Sequence, residues 1–153
     1  TKDGSVSASC FSQWWKSSFE VDGNVFLTAE HWMMYQKAIL FKDQPIAEKV
    51  LTVNSPMEAK ALGRKVAGFD PDVWNKHKFQ IVVDGNLHKF KQHEELKEYL
   101  IKTGKRTIVE ASPRDRVWGI GMGKTNPHAE NPLLWRGQNL LGFALMEVRD
   151  RIK

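Results

Sequence analysis

Glu30 and Lys37 stand seven residues apart in a stretch, Thr28 to Phe41, where Ala29, Trp32, Met33, Gln36, Lys37 and Leu40 recur at helical spacing. Seven residues make about two turns, so both side chains leave nearly the same helix face, roughly 10.5 Å apart along the axis. Met34 lies between them. They are too distant to pair directly, but a ribose-sized ligand can touch both. Glu30 also falls in the first turn, where the helix dipole favours the ionised form. Placing an acid near a helix start and a lysine near its end is equally good dipole design with no further purpose.

The second candidate runs from Ser112 to Lys124 and contains Gly119, Gly121 and Gly123 at alternate positions. Such glycines let the backbone approach a ligand closely, and their amides can cradle phosphate oxygens, helped by Lys124. The run is not a Walker loop, because position 118 is tryptophan. Nor is it a dinucleotide fingerprint, because Lys124 replaces the third glycine and no strand-turn-helix surrounds it. Asp115 sits between Arg114 and Arg116, cations that favour a carboxylate's charged form. A carboxylate beside Trp118, an indole able to stack on a base, suits stabilisation of an oxocarbenium ion. The same residues also read as a surface ion pair followed by a turn.

Other chemistries find less support. The five histidines show no metal-ligand spacing, His31 reads as packed or capping, and neither Cys-x-x-Cys nor Gly-x-Ser-x-Gly occurs. No metal or redox cofactor is expected. Cys10, the single cysteine, has no local base beside it and reads as a structural thiol; with no internal bridge possible, it points to a reducing address, the cytosol or nucleus. No apolar run approaches the ~18–20 residues of a membrane span. The amino end lacks a secretory pattern and is expected to be a loose arm over residues 1–10. An excess of five basic over acidic residues suits a phosphorylated ligand or nucleic acid. Lys60, Arg64, Lys65, Lys76, Lys78, Lys89 and Lys91 are scattered, however, and read first as a solvated face.

The elements that must position these residues are well punctuated. At 153 residues with 41% hydrophobic content, one domain with its own core is expected, over 11–153. Ser17 to Thr28 predicts a hairpin, with Phe19 and Val21 alternating, Asp22-Gly23-Asn24 turning, and Val25 and Leu27 resuming the alternation. Thr28 caps the first helix. Ser55-Pro56 opens a second running to about Ala67, and Asp70-Pro71 a long third to about Gln92, with Asp84-Gly85 as a bend or interruption. Glu94 to Lys102 predicts a short helix ended by Gly104, Thr107 to Ala111 a β-type run, and Leu140 to Ile152 a last helix capped by Asn139. The irregular stretch from Ser112 to Gln138 is long enough to suggest a functional loop. The class is α+β, mainly helical, with an N-terminal β-hairpin and a few short strands.

In that order the segments resemble the NADAR, or YbiA-like, domain family. Phe11-Ser12-Gln13-Trp14 is similar to its Ser-Asn-Phe element, and Glu30-His31 with Gln36-Lys37 to its Glu-His-x4-Gln/Glu-Lys helix. Ser55-Pro56 with Ala61 to Arg64, Trp74 to Phe90, Asp115-x-x-Trp118-Gly119-x-Gly121 and Gly137 to Arg149 continue the likeness. The resemblance implies an N-glycosidase that cuts the C1′–N bond of a phosphorylated ribose, either in phosphoribosylamino-pyrimidine intermediates of riboflavin synthesis or in ADP-ribosylated guanine of nucleic acid. It implies Glu30, Lys37 and Asp115 as catalytic, and Gln13, Trp14, Met34, Trp118, Gly119, Gly121 and Asn139 as substrate-binding. Glu30 would bind ribose hydroxyls or activate water, and Lys37 would act either as an ammonium or as an attacking amine. Gln13-Trp14 departs from the family's Asn-Phe and leaves base preference open. The alternatives are a non-catalytic ADP-ribose or NAD-binding module and a nucleic-acid binding protein. No membrane or obligate protein partner is expected.

Overall fold

The computed structural model describes residues 7–153 and carries a two-stranded antiparallel hairpin and six α-helices among them. The α+β, mainly helical class with an N-terminal hairpin is therefore the observed one. Strand β1 (Phe19–Val21) pairs with β2 (Asn24–Phe26) through a two-residue turn, Asp22-Gly23, both at positive φ. That turn sets Phe19 opposite Phe26, so Phe26 is buried while Val25 and Leu27 face outward. The expected alternation through Val25 and Leu27 is thus displaced by one residue, because the turn closes on two residues and Asn24 belongs to the strand.

Helix α1 (Ala29–Leu40) begins where the Thr28 hydroxyl accepts from the His31 amide. His31 is buried, with Nδ1 2.7 Å from the Thr28 hydroxyl and Nε2 3.1 Å from the Val53 carbonyl, so it is a packed residue of the cap. Helix α2 (Gln44–Val50) was not anticipated, although Asp43 and Pro45 repeat the cap-and-proline device used elsewhere in the chain. Helix α3 (Pro56–Gly63) stops four residues short of the expected end; Val66, beyond it, is buried in the core.

Helix α4 (Pro71–Lys91) is the central element, packed against α1, against α5 (Glu94–Lys102) and against α6 (Leu140–Ile152). It is continuous through Asp84-Gly85. Gly85 serves close packing: a Cβ there would collide with the Trp32 indole, whose Nε1 donates to the Ile81 carbonyl at 2.8 Å. Lys89 is fully buried, and its ammonium donates to the carbonyls of Cys10 (2.7 Å) and Ser12 (3.0 Å). Its assignment to a solvated face is corrected accordingly.

The expected arm at residues 1–10 lies largely outside the described residues; Ala8–Phe11 form a 3-10 turn, with Cys10 buried and its thiol pushed up by burial to about 11. Thr107 to Ala111 forms no strand. Its backbone is met instead by the Asn139 side chain, which donates to the Ile108 carbonyl at 3.0 Å and accepts from the Glu110 amide at 2.9 Å. No helix among the described residues is long and apolar enough to cross a membrane.

Candidate active site

One cavity of about 780 Å³ opens between α1, α3, α4, the Ser12–Trp14 turn and the loop after Ile108. Its size falls in the ordinary range for small-molecule sites. From the sequence-predicted residues it brings together Gln13, Trp14, Glu30, Met34, Lys37, Asp115 and Trp118. Gly119, Gly121 and Asn139 are not among its walls.

The three exceptions are buried supports. A Cβ on Gly119 would lie 2.8 Å from the Glu110 carbonyl, and Gly121 takes φ +73°, so both glycines permit a tight loop rather than a ligand cradle. The Gly121 amide is spent on the Asp115 carbonyl at 3.1 Å, which removes it from any phosphate nest, and Lys124 is exposed outside the cavity lining. Asn139 occupies the cap position of α6 at φ +52°, but its side chain makes no capping bond; it pins Ile108 and Glu110 instead. Amides at the start of α6 then donate back to the loop, Asn139 to Gly119 (2.9 Å), Leu140 to Val117 (3.1 Å) and Leu141 to Trp118 (3.1 Å).

This scaffold holds Asp115 rigidly. Its Oδ1 accepts from the amides of Val117 (3.0 Å) and Trp118 (2.8 Å). No arginine lies within ion-pairing distance of it among the described residues, so the anticipated Arg-Asp-Arg pairing is replaced by backbone donors.

Glu30 is buried in the same cavity, and its amide donates to the Gln13 carbonyl at 3.0 Å. Burial pushes its carboxyl up to about 7; Lys60 and Lys37 pull it down and Asp115 pushes it further up. Burial also lowers Lys37, opposed by Glu30 and reinforced by Arg64. The Lys37 ammonium lies 4.5 Å from the Phe69 ring centroid and 5.7 Å from that of Trp74.

A glutamate raised from 4.5 to about 7 binds protons more tightly in the folded chain than in the unfolded one. Folding stability is therefore spared this cost below pH about 4.5, falls as pH rises towards 7, and stays reduced above, by at most about 3 kcal/mol. Glu30→Gln, which mimics the protonated form, is expected to raise the thermal midpoint at pH 8 and leave it nearly unchanged at pH 4. Equal midpoint shifts at both pH values would contradict the burial argument.

Sequence reasoning missed several wall residues. Lys60 on α3, Arg64 at its carboxyl-terminal cap and Lys78 on α4 add cations. Gly63 explains how close they come: a Cβ there would occupy the space of the Met34 sulfur, so α3 lies directly against α1. Glu110 adds a third carboxyl, raised by burial and by Asp115. Its signal was the lone charge in an otherwise β-like run. Among the described residues, no three His, Cys, Asp or Glu side chains gather as metal ligands.

A mainly helical α+β domain with carboxylates, a lysine and tryptophans around one cavity is the class this defines. The family model described as the NADAR domain matches residues 1–153. An N-glycosidase of Acanthamoeba polyphaga mimivirus is 42% identical over 145 residues, 92% of this chain and 85% of its own. N-glycosidase YbiA of Escherichia coli (strain K12) is 32% identical over 152 residues, 99% of this chain and 84% of its own. The NMR structure of E. coli YbiA matches with a TM-score of 0.77 at 32% identity, covering 97% of this chain and 82% of that one. The chain belongs to the NADAR domain family.

Proposed function

We propose that this chain hydrolyses the C1′–N bond between a phosphorylated ribose and a base, in a phosphoribosylamino-pyrimidine or in ADP-ribosylated guanine. The broad class, a hydrolase of N-glycosyl bonds, is that of the relatives named N-glycosidase. The observation carrying the finer reading is that Glu30, Lys37, Asp115 and Trp118 line one cavity together with the cations Lys60, Arg64 and Lys78. An anionic sugar phosphate meets the cations, and the carboxylates meet the positive charge that grows on C1′ as its bond to nitrogen lengthens.

In this reading Asp115, fixed by two amides, faces that charge, and Trp118 offers a flat face to the base. Glu30, with a carboxyl near 7, accepts the proton of the attacking water at neutral pH. Lys37 either remains an ammonium that holds phosphate and assists the leaving base, or attacks C1′ as a free amine.

Incubating the chain with each substrate and resolving the products by chromatography tests the proposal. It predicts free base and free sugar from at least one of them. Retention of ADP-ribose without release of base would make the chain a binding module instead.

A further inference from the structure

The turn that reaches the cavity from the amino end is held at several of its polar atoms. Lys89 donates to the Ser12 carbonyl at 3.0 Å, and the Ser12 hydroxyl accepts from the Trp14 amide at 3.1 Å. The Gln13 carbonyl accepts from the Glu30 amide at 3.0 Å. Finally, Asn86 Nδ2 donates both to the Val82 carbonyl and to Gln13 Oε1, each at 2.9 Å.

That last pair settles which way the Gln13 amide points. The Val82 carbonyl can only accept, so the Asn86 atom beside it must be the NH2 group. The same NH2 then faces Gln13, which must answer with its oxygen. Reversing Asn86 would set its oxygen against the Val82 carbonyl whichever way Gln13 turned. Asn86 Oδ1 remains buried without a partner; turning the amide would set that oxygen against the Val82 carbonyl and forfeit the bond to it.

Gln13 Nε2 is therefore left as a donor. It makes no hydrogen bond to the described residues and is not among their buried unpartnered atoms, although Gln13 is only 8% exposed and lines the cavity. Its remaining access is to the cavity. Trp14, next in the chain and in the same wall, is 41% exposed and supplies an aromatic ring beside Gln13. Anionic groups of a ligand have cations elsewhere on the wall, so this neutral donor beside an aromatic face is suited to a base.

We propose that Gln13, oriented by Asn86, is a specificity-determining residue that selects bases carrying a carbonyl oxygen over bases carrying an amino group at the edge facing it. This rests on the sugar–base reading above and narrows its substrate class.

Calorimetric titration with inosine 5′-monophosphate and adenosine 5′-monophosphate tests it, since the two differ at one base edge, a carbonyl beside a ring N–H against an amino group beside a bare ring nitrogen. The wild type is expected to prefer the inosine nucleotide by about tenfold, the worth of one neutral hydrogen bond. Gln13→Glu keeps the acceptor that Asn86 needs and replaces the cavity-facing donor by an acceptor, so the preference is lost or inverted; Gln13→Leu abolishes it. Equal affinity in the wild type, binding of neither nucleotide, or a preference that survives in Gln13→Glu overturns the inference. The base-release assay reports separately: a chain that releases base but binds both nucleotides alike sinks only the role of Gln13. A chain that prefers the inosine nucleotide but releases no base sinks only the hydrolysis.

Discussion

Lys37→Ala is expected to slow base release by roughly three orders of magnitude. Lys37 sits on the same face of α1 as Glu30, its amine disfavoured as a cation by burial and by Arg64, and favoured by Glu30. The Phe69 ring, 4.5 Å from Nζ, further supports the charged form. Burial is the largest of these influences, and the net direction is downward, towards the free amine. As an amine it would attack C1′ with its lone pair while the base nitrogen departs with the bonding pair and takes a proton. Opening of the sugar ring would then leave an iminium between Nζ and C1′, which water returns to free amine and sugar. Borohydride added during turnover reduces that iminium and leaves a sugar-sized mass on Lys37. A rate loss without any adduct assigns the ammonium role; full activity in Lys37→Ala contradicts both.

The second large effect is expected at Glu30. Glu30→Gln preserves shape but removes the base, so kcat should fall by about 10²- to 10⁴-fold. The wild-type rate should rise with pH through a midpoint near 7, since burial places the carboxyl there. Glu30→Gln should lose that rising limb as well as the rate. The thermal midpoint should move the other way at pH 8, because the substitution relieves a buried charge. Loss of activity with a gain in stability distinguishes a working residue from a structural one. A falling limb through pH 7 would contradict the water-activating role and give Glu30 the proton delivered to the leaving base.

Much of this arrangement was legible before any coordinates. Caps and prolines announce α1, α3 and α4, because Thr28, Ser55 and Asp70 satisfy first-turn amides locally. The Ser112–Lys124 segment stood out for its glycines and lack of periodicity, and the partnership of its Asp115 with Glu30 came from family likeness rather than spacing. What sequence could not reveal depends on packing across long separations. Lys60, Arg64 and Lys78 look like any solvated lysines and arginines until α3 and α4 close around α1. Lys89 looks the same, yet it is buried under the Ser12–Trp14 turn and held down to about 8 by burial. Glu110 hides in a run whose β-like pattern reflects burial of Ile108 and pairing with one asparagine side chain, not a sheet. The glycines misled for a related reason. Gly119 and Gly121 are required by backbone crowding inside the loop, a demand that looks identical in sequence to a ligand cradle.

Titrating ribose 5-phosphate into isotopically labelled protein and mapping the backbone amide shifts asks directly whether sugar binds where the carboxylates meet. Perturbations should concentrate at Gln13 and Trp14, along the first two turns of α1, and from Ser112 to Trp118. Shifts confined to α5 and the carboxyl-terminal turns of α6, with those segments silent, would place the ligand elsewhere and contradict the account.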